Sequence, residues 1–153
     1  MRLKVLWVGK TQEEWVRRGI DEYAGRIGRY MSIDLAEARD EKGAAVEAMR
    51  EREGERLLKL LPKNARLVLL DERGEQMSSP ELARFLATNR DGGTQELVFV
   101  IGGAYGFSDS LRAKAFKTIS LSRMTFTHQM VRIFLLEQLY RGFTIINGEP
   151  YHH

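Results

Sequence analysis

The sequence predicts an α/β protein, a mainly parallel sheet covered by helices on both faces. Three observations lead there. Short, unbroken apolar runs rich in β-formers (LKVLWVG, RLVLL and LVFVI) read as strands buried on both faces. SIDLAEA and TISLS bring the strands to five. Helical periodicity fills the gaps between strands, the alternation that produces parallel pairing. At 153 residues one domain, 1–153, buries roughly two thirds of its unfolded surface and needs neither disulfide nor metal to complete its core.

Taken in order, LKVLWVG is the first strand and QEEWVRRGIDEYAGRIGRY a helix, with Trp15, Ile20, Tyr23 and Ile27 at helical spacing. SIDLAEA alternates as a strand. Residues 45–61 read as a second helix whose charged RERE run (50–53) suits a solvated face, and Pro62 ends it. RLVLLDE is the third strand and DERGEQMSS a loop. Ser79 is placed to cap the next helix, with Pro80 in its first turn, and that helix runs to about Asn89. Gly92 and Gly93 turn the chain into LVFVI. Ser108 or Asp109 caps a short helix through Phe116, TISLS is the fifth strand, and Thr127 is positioned to cap a long apolar final helix.

Composition narrows the chemistry. There is no cysteine, and two of the three histidines, His152 and His153, are adjacent, so no metal centre is expected. The apolar run in MRLKVLWVGK is too short for a signal-peptide core and no run approaches membrane-spanning length, so the expected location is cytoplasmic. The net charge is +3 and the pI near 9.3, which suits a polyanionic partner. From Leu97 onward six basic residues face three acidic ones, placing the excess at the C-terminal end.

Ligands of parallel sheets bind beyond the carboxyl ends of strands, so the loops LDERG, IGGAYG and SRMTFT are the candidate site. Gly103 allows close backbone approach, and Leu70, Met124 and Phe126 supply apolar walls. A dinucleotide fingerprint, a nucleoside-triphosphate loop and a nucleophile elbow are all missing. His128 and Arg132, four apart, share a face at the start of the last helix. A guanidinium at a mostly apolar place needs a partner or ligand, with Glu137 a candidate; Glu137 could equally pair with Arg141. The helix is apolar nearly all round between Met130 and Tyr140, as burial against the sheet on one side and a second subunit on the other requires. In the tail NGEPYHH, Tyr151 can stack on a base beside His152 and His153.

IGGAYG, followed by SLSRMTFTHQMVRIFLLEQLYRGFTIINGEPYHH, resembles the RlmH family of ribosomal RNA large-subunit methyltransferases, small members of the SPOUT superfamily. The resemblance extends to VGK, the LDERGEQMSS loop and the length. It implies a C-terminal trefoil knot, a homodimer, S-adenosylmethionine as cofactor, and methylation of N3 of a pseudouridine in large-subunit (23S) RNA of the assembled ribosome. The implied cofactor site is Leu70, Asp71, Gly103, Ser122, Arg123, Met124, Thr125, Phe126 and Thr127. Tyr151-His152 matches the family's terminal Tyr-His, expected to face RNA, whereas His153 stands where the family usually has Arg or Lys. Loss of the N3 proton leaves an anionic acceptor, so positive groups and positioning should dominate. His128, Arg132, Tyr151 and His152 are therefore the expected catalytic residues. The rival expectation is a ribosome-associated RNA-binding module without catalysis.

Overall fold

In the computed structural model, which describes residues 1–153, the apolar runs become β1 (Arg2–Val8), β2 (Ile33–Ala38), β3 (Ala65–Gln76), β4 (Glu96–Ile101) and β5 (Ala115–Ser120). They pair in the order β2-β1-β4-β3-β5, all parallel. The helices are α1 (Glu14–Ile27), α2 (Val46–Leu60), α3 (Ser79–Asp91), α4 (Asp109–Lys114) and α5 (His128–Ile146).

Strand alternation divides the core in two. Leu3, Val5, Trp7, Val68, Leu70, Leu97, Phe99 and Ile101 point to one face, where α5 packs between α1 and α3. Leu6, Val8, Leu67, Leu69, Val98 and Val100 point to the other, covered by Leu57 of α2 and Leu111 of α4. The central strands β1 and β4 and the first half of β3 are apolar on both sides because both sides are covered, whereas the edge strands β2 and β5 keep exposed positions. No helix is long and apolar enough to cross a membrane.

Four local expectations need correction. The inner face of α1 is Val16, Ile20 and Ile27, while Trp15, one position earlier and so about 100° round the helix, is 50% exposed. β3 continues through two thirds of the expected loop, to Gln76: after a register break between Leu70 and Glu75 it pairs again with β5. Gly74 permits this, since a Cβ there would lie 2.7 Å from the Ile119 backbone. Ser78, not Ser79, caps α3; its side chain accepts from Glu81 N–H while Glu81 accepts from the Ser78 N–H, and Ser79 instead donates to Gln138 at 2.6 Å. Finally α4, capped by Ser108, stops at Lys114, and β5 starts at Ala115, three residues before TISLS.

Candidate cofactor site

The loops after β3, β4 and β5 converge on one cavity of about 500 Å³. Its apolar walls are Leu70, Ile101, Phe107, Leu121, Phe126 and Val131; Asp71, Glu72, Arg73, Ser122, Met124, Thr125, His128 and, from the glycine loop, Gly102, Gly103, Ala104 and Gly106 also line it. Of the nine expected cofactor residues, seven line it; Arg123 and Thr127 do not. Arg123 is exposed beside the cavity-lining Ser122, and Thr127 accepts the Met130 N–H at 3.1 Å, capping α5 as expected.

The β5–α5 segment is held by its own polar atoms and by the β3 loop. Ser120 donates to the Ser122 carbonyl at 2.8 Å and Ser122 Oγ accepts from Met124 N–H at 3.0 Å. Thr125 donates to Glu72 at 3.0 Å, tying it to the β3 loop across 53 residues. Asp71 is engaged with protein cations: Arg112 donates to it at 2.7 Å and the Arg73 N–H at 3.0 Å. Burial pushes the Asp71 carboxyl up, but the Arg73 N–H and the Arg112 and Arg73 guanidiniums outweigh it and hold the group at about 2.

Within the glycine loop, Gly106 takes φ +79, a conformation that side chains resist, and donates to the Gly103 carbonyl at 3.2 Å. Gly103 is needed for space. A Cβ there would lie 2.9 Å from Glu53 Oε1 and 3.2 Å from Val8. Glu53 corrects the expectation of a solvated RERE run, for it is 3% exposed, turned inward on α2 beside Gly54.

Of the four expected catalytic residues only His128 reaches the cavity. Arg132 is buried behind it, not facing it: it donates to Thr11 Oγ1 and the Val8 carbonyl, both at 2.9 Å, and lies 5.0 Å from the Trp7 ring. Its carboxylate is Glu37, at 3.8 Å; Glu137 instead pairs with Arg141 and accepts the Tyr151 hydroxyl at 3.0 Å. Burial lowers the Arg132 pKa, partly opposed by Glu37. The tail folds back on α5, with Tyr151 edge-on to Tyr140 and His152 Nδ1 3.3 Å from Arg141. Glu137 lies nine residues beyond His128, roughly 14 Å of helix rise. A second cleft lined by Ser78, Ser79, Phe134, Glu137 and Gln138 bridges that gap, sharing Leu121 and Phe126 with the first cavity.

Glu72 and Phe107 line the cavity and Arg112 and Glu53 support its loops from behind, none of them singled out from the sequence. Phe107, apolar directly after IGGAYG, carried a readable signal. Arg112 carried none, being 41 residues from the carboxylate it binds. No group of three or more His, Cys, Asp or Glu side chains converges as metal ligands.

The family model described as "Predicted SPOUT methyltransferase" matches residues 1–152. The chain is similar to the ribosomal RNA large subunit methyltransferase H of Geotalea uraniireducens (strain Rf4), 82% identical over 153 residues and the full length of both chains. It is 76% identical to the protein of that name from Geobacter sp. (strain M21), covering all of this chain and 99% of the relative. The Flavobacterium psychrophilum protein of the same name is 45% identical, again across all of this chain.

Proposed function

The chain belongs to the SPOUT methyltransferase family, whose fold is an α/β knot, and we propose that it is a single-domain homodimer that methylates N3 of a pseudouridine in large-subunit ribosomal RNA. The cavity beyond β3, β4 and β5 carries this reading. Its volume of about 500 Å³ lies in the range of small-ligand sites, and its walls fit S-adenosylmethionine: Leu70, Ile101, Phe107 and Phe126 for an apolar ring system, and backbone at Gly103 for close approach. That cofactor, when bound, supplies an electrophilic methyl group.

The protein's own part is to exclude water, orient the base and manage one proton. His128, at the cavity rim, is placed to accept the N3 proton or to face the developing anion. Tyr151 bonds Glu137, which lines the second cleft, and His152 lies against Arg141, the cation paired with that Glu137; from behind the cleft they position the RNA. Arg132 acts from behind, latching α5 to the end of β1. The similarity to enzymes named as ribosomal RNA methyltransferases supports this reading over a non-catalytic RNA-binding module.

Single-turnover methylation of ribosomes lacking the modification is the direct test. Wild-type protein should transfer a single methyl group per large subunit, and His128→Ala and His152→Ala should each slow transfer by about 100-fold. Unchanged rates in both variants would remove them from the site. Ribosome binding without any S-adenosylmethionine binding in calorimetry would favour the non-catalytic module.

A further inference from the structure

Glu53 places a carboxyl directly beneath the cofactor loop. Its Oε2 accepts the Glu41 N–H at 3.0 Å, while its Oε1 is buried with no hydrogen-bond partner. That orphaned oxygen faces Gly103: any side chain at 103 would meet it. Neighbouring positions of α2 grip the same loop. Arg50 donates to the Tyr105 carbonyl at 2.8 Å, and Gly54 admits Ser108 so closely that a Cβ would collide with it.

The surroundings of Glu53 favour a neutral carboxyl. Asp40 and Glu41 bring negative charge from the segment between β2 and α2. Arg56, on the same helix, is already bound to Glu41 at 2.7 Å. Val8 and Gly103 bring none. Burial is the main influence raising the Glu53 pKa; the Glu41 N–H opposes it, Asp40 and Glu41 reinforce it, and Arg56 opposes it least. An ionised Oε1 here is a charge without solvent or donor, relieved only by admitting water or moving the loop.

We propose that Glu53 is a positioning residue for the cofactor, its uncharged carboxyl forming the shelf on which the Gly103 turn rests. The inference builds on the methyltransferase reading above. Glu53 does not line the cavity, so it acts through the loop: when it ionises, Gly103 shifts and cofactor affinity falls, while the methyl-transfer rate at saturating cofactor is retained. The sign follows from the raised pKa, since the competent form is present at low pH and lost as pH rises through the folded-state value.

The test is the S-adenosylmethionine dissociation constant of the full chain, by calorimetry from about pH 4.5, the ordinary glutamate range, to about pH 9, for wild type and Glu53→Gln. Wild-type binding should weaken with rising pH, approaching tenfold per pH unit above the Glu53 titration. Glu53→Gln, uncharged throughout, should keep the low-pH affinity. His128, Asp71, Glu72 and Arg73 at the cavity and the cofactor's own amino group act alike in both proteins, so the difference isolates Glu53. Parallel profiles overturn the proposal. A second measurement needs no variant: the Glu53 carboxyl carbon resonance should titrate at higher pH with cofactor bound, and an unmoved titration also overturns it. Absence of cofactor binding by wild type at every pH is a separate failure, that of the methyltransferase reading, and this inference falls with it.

Discussion

At the residue scale, the ionic groups of this protein divide by what surrounds them. Arg132 is 2% exposed and its Nε has no partner, so its desolvation is offset by Thr11, the Val8 carbonyl, Glu37 and the Trp7 ring. Arg132→Ala removes the donors to Thr11 Oγ1 and the Val8 carbonyl, while Glu37 keeps Trp7 and the Thr11 N–H, and should cost about 3 kcal/mol in urea unfolding, with the transfer rate of the folded protein falling far less than in His128→Ala. Asp71 behaves oppositely. Its carboxyl sits near 2, below the ordinary value, so the stabilisation is present above about pH 4 and lost as pH falls toward 2, worth about 2 kcal/mol. In Arg112→Ala the decline in thermal stability across that window should shrink, and an acid-unfolding profile identical to wild type would contradict the pairing. The sequence exposed the residue types here but not their partners: Arg132 stood out as a cation in an apolar helix, yet Glu37 is 95 positions away, on β2.

At the element scale, helix starts were the most readable features and their exact registers the least. Thr127 and Ser108 cap as local chemistry requires. With two adjacent serines before Pro80, the cap went to Ser78, because only that choice puts Glu81 three residues on and closes the reciprocal pair. Thr127 is the informative one to disturb, since α5 carries both His128 and the Arg132 latch. Thr127→Ala should lose about 1 kcal/mol in chemical denaturation and weaken cofactor binding, as the first turn frays beside the cavity; equal stability and affinity would show that the cap does not order the site. The length of β3 was hidden because its second half, DERGEQ, is polar and reads as a loop. The strand continues only because Gly74 lets β5 pass close by.

At the scale of the whole molecule, α5 leaves Phe134 and Met130 each 37% exposed, with Met124 76% exposed at the cavity rim. An apolar surface of this kind suits a second copy of the chain, as the proposed homodimer requires. Sedimentation should show a dimer for wild type and monomer for Phe134→Glu; a monomeric wild type at micromolar concentration would remove the homodimer from the reading. Class and layering were legible in the residues alone, since central strands apolar on both sides can exist only between two covered faces, and so were the cavity-forming loops and the family resemblance. Which polar groups meet became visible only in the folded chain. Sheet order places β3 between β4 and β5, bringing Asp71 to Arg112 and Glu72 to Thr125, and places β4 beside β1 under α2, bringing Glu53 under Gly103. Those pairings arise from chain crossovers spanning 41 to 53 residues. Periodicity records which face a residue takes, but not which distant segment lies opposite it.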